Sequence, residues 1–142
     1  PYSCVQPVFN DSGGALTSGS VVIWDVDDTE FERTGYVYVT TTTTADSVNV
    51  AGVLVDNSCA DQTFCEMVYR GYARARVADS TDALTDDILI GTSTVAGQAG
   101  DYTAAANSCA LGRVLELRDV VSGLDANADN STFPVWVDVD CQ

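Results

Sequence analysis

The chain has 142 residues, the usual length of one domain, and its 21 acidic residues against 6 basic ones give a formal net charge of −15. So acidic a protein repels nucleic acid and anionic membrane surfaces, and we expect neither among its partners. It contains no His, and its basic residues are all Arg, which excludes His-dependent nucleophiles, His metal sites, Schiff bases and P-loops and predicts a non-enzymatic protein without cofactors.

The first ten residues, PYSCVQPVFN, carry apolar side chains between two prolines. Proline disfavours both a helix and a central strand, which predicts an extended N-terminal arm over residues 1–12. A β-barrel core over residues 13–142 would complete a single domain. The arm either closes the bottom of its own barrel or reaches another polypeptide. We expect the second, with four apolar contacts: Tyr2, Val5, Val8 and Phe9.

The threonine run Thr40–Thr44 is either a flexible, mucin-like tether or part of a folded β-sheet. YVYV precedes it, and alternating aromatic and β-branched residues favour a pleated, half-buried surface. A tether would be richer in Pro and Ser. We therefore predict a strand over Tyr36–Thr43 and a turn at residues 45–47.

Similar apolar patterns between turn residues predict the other strands. They cover Ser20–Val26, Val48–Val55, Glu66–Val77, Asp86–Ile90 and Pro134–Asp140. Ala110–Val121 is ambiguous, because its leucines suit a helix whereas Gly112 weakens one. Short strands at near-regular spacing indicate an all-β barrel or sandwich.

Three arginines share one face of the predicted strand Glu66–Val77: Arg70, Arg74 and Arg76. A guanidinium binds a carboxylate through two hydrogen bonds. These residues either grip carboxylates of a partner or form a solvated face balanced by the protein's own acids. The sequence leaves both interpretations open.

The five cysteines match no CxxC metal pattern. Cys59 and Cys65 bracket a short loop between two strands, which favours a local disulfide. Cys4 and Cys141 stand near chain ends, which are often close in compact domains. An odd count leaves one thiol unpaired, and we expect it to be Cys109. The alternative is five buried thiols in a reducing compartment.

Two acidic patterns invite a functional interpretation. Asp125, Asn127 and Asp129 have the odd-position oxygen spacing of a calcium loop, but Asn130 replaces the usual Gly and Trp136 the bidentate Glu. We interpret this segment as a polar turn without metal. A pair of carboxylates would allow glycosidase chemistry, but no pair stands out, so a carboxylate hydrolase ranks last.

The order of several motifs is informative when they are taken together. TSGSVVIWD is followed by YVTTTTTADSVNVAGVLVD, the strand ending VYRGYARARV, then LIGTSTVAGQAG and ALGRVLEL. This order, over about residues 10–122, resembles the small capsid decoration (cement) proteins of tailed phages. AGVLVD, the R-G-containing strand and the S-T-x-A-G-x-A-G loop carry most of the resemblance. The five cysteines and the acidic C-terminal segment depart from the family pattern.

The resemblance implies a small, tulip-like β-barrel behind an extended N-terminal arm. It also implies a structural virion protein, assembled in the host cytoplasm, that binds the outer surface of a phage capsid. There it would bridge major capsid subunits as a homotrimer. The arm residues and the three arginines would face the major capsid protein or a neighbouring copy. The alternative function is a secreted acidic β-module, either an adhesin or a carbohydrate-binding domain.

Overall fold

A computed structural model of the chain describes residues 3–26, 37–76, 89–103, 108–115 and 132–141. Within these ranges the chain forms strands and no helix, so the all-β fold class is confirmed. The strands are β1 Ser3–Asn10, β2 Leu16–Thr17, β3 Val21–Trp24, β4 Tyr38–Thr40, β5 Val50–Leu54, β6 Ser58–Cys59, β7 Phe64–Arg76, β8 Leu89–Thr92, β9 Ala99–Asp101, β10 Cys109–Val114 and β11 Thr132–Cys141.

Five of these strands, β1, β4, β3, β5 and β7, close into a small barrel. β1 runs parallel to β4 and antiparallel to β7, and its pairing with β7 closes the barrel. Beyond β7 the sheet continues through β11, β10, β8 and β9. β2 and β6 form a separate two-stranded ribbon. The predicted small β-barrel is therefore present, with an extension of the same sheet attached to it.

The apolar core has two parts, and β5 contributes to both. The first part gathers side chains of the barrel strands and β6: Val8, Val22, Val39, Ala51, Leu54, Cys59, Cys65 and Met67. The second joins β3, β5 and β7 to the strands of the extension. β5 is buried along its whole length, because it lies between these two clusters.

The segment predicted to be an N-terminal arm is a barrel strand. Val8 is fully buried in the first core cluster, and the backbone N–H of Phe9 donates to the carbonyl of Val37 at 2.8 Å. Pro7 is tolerated because it costs the strand a single N–H donor and its ring is exposed. The expectation that Val8 contacts a partner is therefore wrong, and Tyr2 lies outside the described residues.

The buried side chain of Asn10 fixes the end of β1. Its Nδ2 donates to the carbonyl oxygens of Gly14, Cys59 and Ala60 at 3.0, 2.9 and 3.2 Å. Its Oδ1 accepts the backbone N–H of Ser12 at 2.9 Å. Because a buried amide without partners would be costly, this network holds β1 firmly against the loop that follows β6.

The threonine run is folded, but most of it is loop. β4 ends at Thr40 and not at Thr43, and Tyr36 lies outside the described residues. The hydroxyl of Thr42 accepts the N–H of Thr44 at 3.0 Å, and the Thr44 carbonyl accepts the hydroxyl of Thr92 at 2.8 Å. Local side-chain bonds of this kind compete with a strand ladder. The prediction that the threonines are part of the folded domain and not a flexible tether is confirmed, whereas the predicted length of the strand is wrong.

The other predicted strands are present with shifted ends. Asp86–Ile90 becomes Leu89–Thr92, with residues 86–88 outside the described ranges. In the ambiguous segment Ala110–Val121, residues 110–114 belong to the strand β10, and residues 116–121 lie outside the described ranges. In β7 the alternation of inward and outward side chains breaks at a β-bulge. Cys4 pairs with Arg70 and the next β1 residue, Val5, pairs with Val68, so Tyr69 is an extra residue without a partner in β1. Tyr69 is therefore exposed, although strict alternation from Met67 predicts the opposite.

Candidate functional site

An apolar patch lies on the outer wall of the barrel, where β4, β1 and β7 are neighbours. Phe9 is in register with Tyr38 on one side and with Phe64 on the other. Its ring stacks on Tyr38 at a centroid distance of 4.9 Å and meets Phe64 edge-on at 5.1 Å. Phe64 is 53% exposed, and Val5, farther along β1, is 47% exposed. We call the three rings, together with Val5 on the same outward side of β1, the apolar patch.

The patch has the chemistry of a protein-binding surface. Aromatic side chains supply large contact areas with few rotatable bonds, and they dominate interface energies. The sequence pointed to Val5 and Phe9 through the apolar N-terminal segment. It did not point to Tyr38 or Phe64, because only the pairing of β1 with two distant strands brings them beside Phe9.

The three predicted arginines lie on the outward side of β7, and each contacts another part of the chain. Arg70 Nη2 lies 4.0 Å from Asp138 Oδ1. Arg74 donates from Nε to the Thr132 hydroxyl at 3.0 Å and from Nη2 to the Thr132 carbonyl at 2.7 Å. Arg76 Nη1 donates to the Thr17 hydroxyl at 3.0 Å. The solvated-face interpretation thus fits Arg70, whose contact is one of the protein's own acids.

A fourth arginine, which sequence reasoning missed, lies on the same side of the extended sheet. Arg113 on β10 is in register with Trp136 on β11, and Trp136 is in register with Tyr72 on β7. We call Arg70, Tyr72, Arg74, Arg113 and Trp136 the arginine face. The ambiguity between helix and strand at residues 110–121 concealed the position of Arg113, because only a strand places it beside Trp136.

More of the cysteines form disulfides than the sequence alone predicts. Cys59 and Cys65 form the predicted disulfide, with a Cα–Cα distance of 5.9 Å. Cys109 is also disulfide-bonded, so the expectation that it is the unpaired thiol is wrong. Its neighbour in β-sheet register is Cys141. Nothing in the sequence predicts this register, because β10 was not recognised as a strand.

We expect thiol alkylation of the unreduced, denatured protein to add a single label. The two bonded pairs that Cys59, Cys65 and Cys109 require consume four of the five cysteines. Opening the short Cys59–Cys65 loop by a double Cys→Ala substitution should lower the free energy of unfolding by about 2 kcal/mol. Intact mass before and after reduction measures the first result, and urea unfolding measures the second. Five labels without reduction would contradict both disulfides.

Asp46 is the titratable group with the most unusual surroundings among the described residues. It lies in the turn after the threonines with a φ of 54°. Its Oδ2 accepts the N–H of Thr103 at 3.0 Å, while its Oδ1 is buried without a hydrogen bond. Burial raises the pKa of Asp46, the Thr103 bond opposes this, and the negative charge of Asp101 raises the pKa further.

Replacing Asp46 by Asn should stabilise the protein at neutral pH, by no more than about 1 kcal/mol. A carboxyl with a raised pKa in the folded state binds a proton more tightly when folded, so ionisation costs stability as pH rises. Asn carries no such cost and also tolerates a positive φ. The advantage of Asp46→Asn should therefore shrink as pH falls towards the ordinary Asp pKa. Thermal melts from pH 3 to 8 measure this.

The partner substitution Asp101→Asn tests the cause. Removing the nearby negative charge should lower the pKa of Asp46 and move the pH-dependent loss of stability to lower pH. An identical pH profile for wild type and Asp46→Asn would show that Asp46 carries no ionisation cost.

The described ranges contain no cluster of acidic or cysteine side chains suited to a metal ion. Asp125, Asn127 and Asp129 lie outside them, so the interpretation of that segment as a polar turn without metal stays a prediction. No helix in the described part of the chain has the length and apolarity needed to span a bilayer.

Comparison with known proteins adds no family. The chain matches no protein-family model, and no curated protein shows significant similarity to it. The resemblance to phage decoration proteins therefore rests on the motifs and their order.

Proposed function

We propose that this protein is a structural virion protein without enzymatic activity that binds the outer surface of a phage capsid. It bridges neighbouring major capsid subunits there and stabilises the shell, and it acts as a homotrimer. The motif order from TSGSVVIWD to ALGRVLEL supports the capsid setting. The apolar patch on the barrel wall supports a role in binding another protein, and this patch is the single observation that carries the proposal.

The apolar patch supplies what a capsid contact needs. Soluble proteins rarely leave several apolar side chains together on their surface unless another surface covers them. Phe64 presents more than half of its surface to solvent, and Phe9 supports it from the neighbouring strand. Because the patch is part of a closed barrel wall, docking would require little rearrangement of the backbone, which keeps the entropic cost of binding small.

Particle composition tests this function. Phage particles are isolated from a culture that produces the protein and purified through a density gradient. They should contain the protein in amounts comparable to the major capsid protein. Quantitative mass spectrometry measures the ratio. Its absence from intact particles, or its presence only among soluble proteins, would refute the virion role.

A substitution tests the proposed contact. Phe64→Ser removes the most exposed ring of the patch and should lower capsid affinity at least tenfold, because a central aromatic anchor contributes about 2 kcal/mol or more. Leu115→Ser is a matched control, since Leu115 is 42% exposed just after β10, in the extension of the sheet and away from the barrel wall, and should leave affinity unchanged. Equal binding by both variants would remove the patch from the interface.

A secreted acidic β-module is the second candidate, and the disulfides favour it. Disulfides persist in oxidising environments outside the cytosol, and the structure contains the Cys59–Cys65 bond as well as a bonded Cys109. A virion protein released by lysis meets the same oxidising medium. The particle measurement therefore separates the two functions, whereas the redox state does not.

A further inference from the structure

The outward face of β7, β11 and β10 concentrates positive charge on a strongly acidic protein. Arg70, Arg74 and Arg113 are exposed there, while the whole chain has a formal net charge of −15. We propose that the arginine face binds an acidic polysaccharide, a sugar polymer bearing carboxylates. This proposal does not depend on the capsid role and concerns a different surface from the apolar patch.

Trp136 is the centre of the face. Cross-strand pairing puts Arg113 on one side of it and Tyr72 on the other. Directly paired side chains in neighbouring strands have Cβ atoms about 5 Å apart, and diagonal neighbours about 7–8 Å. Arg70 and Arg74, which flank Tyr72 on β7, are the diagonal neighbours of Trp136. Three arginines therefore occupy strand positions next to Trp136, one directly paired with it and two diagonal to it.

The arginines differ in how firmly they are held. Arg74 donates two hydrogen bonds to Thr132, which use two of the five N–H donors of a guanidinium and fix its orientation. Arg70 has only a contact with Asp138 at 4.0 Å, with both side chains more than half exposed. So exposed an ion pair contributes little, and a ligand carboxylate would replace Asp138 at small cost.

The combination of groups favours a sugar acid over other anions. A half-buried indole offers a flat apolar surface on which the C–H face of a pyranose ring packs, and arginine binds the carboxylate bidentately. An acidic peptide would satisfy the arginines without needing the rings of Tyr72 and Trp136.

Three polymers separate these possibilities: alginate, which is a carboxylated polysaccharide, dextran, which is neutral, and poly-L-glutamate, which has carboxylates but no sugar rings. Affinity is measured by biolayer interferometry with the intact protein immobilised. Alginate should bind at least tenfold more tightly than either of the others. Its affinity should fall as salt is raised from about 50 to 500 mM, because exposed charges are then screened.

Two variants and a matched control identify the surface. Arg113→Gln and Trp136→Leu should each weaken alginate binding about tenfold, the size expected from losing a charge-assisted hydrogen bond or a stacking ring. Asn57→Asp changes net charge by the same amount as Arg113→Gln but lies in the exposed turn after β5, and it should bind normally.

Several results would overturn the proposal. They are absence of alginate binding, equal binding of dextran or poly-L-glutamate, and equal weakening by Asn57→Asp. Thermal melts establish that each variant is folded. If Trp136→Leu fails to fold, Arg113→Gln still decides the outcome, since its side chain is exposed.

Discussion

Replacing Gly112 by Ala should lower the free energy of unfolding by about 3 kcal/mol or more. A Cβ at this position would lie 2.0 Å from the backbone oxygen of Trp136 and 2.9 Å from its carbonyl carbon. The close approach occurs where the β10–β11 register shifts, between Ala110 and Gly112. β11 cannot move away freely because its other edge pairs with β7, so the added methyl group overpacks the sheet.

Gly14→Ala is the matched control for this substitution. A Cβ at Gly14 would have no atom within 4 Å, and the residue is exposed ahead of β2. Urea unfolding followed by tryptophan fluorescence should therefore give nearly the wild-type stability for Gly14→Ala. Equal stability of the two variants would show that β10 and β11 do not approach as closely as described.

Deleting residues 1–9 should abolish cooperative unfolding. The deletion removes almost all of β1, which pairs with both β4 and β7 and closes the barrel. It also exposes the edges of those two strands and removes Val8 from the core. Far-UV circular dichroism and a thermal melt measure the loss. A truncated protein that melts cooperatively would show that the segment is a dispensable arm.

Two point substitutions separate the inner and outer sides of β1. Val8→Ala should cost about 2 kcal/mol, because Val8 is fully buried and its truncation leaves a cavity. Val5→Ala should change the stability by less than about 0.5 kcal/mol, since Val5 is 47% exposed. Equal costs would contradict the assignment of the two faces.

Alternation of side chains predicted much of the sheet. In β11, Val135 and Val137 are buried while Asp138 is exposed, as period-two patterning requires. The Cys59–Cys65 disulfide could also be predicted from the sequence, because the two residues bracket one short loop and no distant strand pairing is needed. Local patterns therefore identify strands and local cross-links.

Apart from the length of the strand before the threonines, the failures involve contacts between distant parts of the chain. An extended apolar segment such as residues 3–10 has the same local pattern whether it closes its own barrel or reaches a neighbour. Tertiary pairing alone decides between these outcomes, and here it places Phe9 between Tyr38 and Phe64. Local patterns likewise do not predict the bulge at Tyr69 or the register that pairs Arg113 with Trp136. For this reason the sequence named half of the apolar patch and missed one arginine of the arginine face.

Thermal release of DNA from phage heads tests the capsid role most directly. Heads stripped of the protein are heated with and without added protein, and a DNA-binding dye reports the temperature at which the genome becomes accessible. The wild-type protein should raise this temperature, and Phe64→Ser should not at the same concentration, because it lacks the exposed ring that carries the proposed contact. An unchanged release temperature with saturating wild-type protein would contradict a capsid-stabilising function.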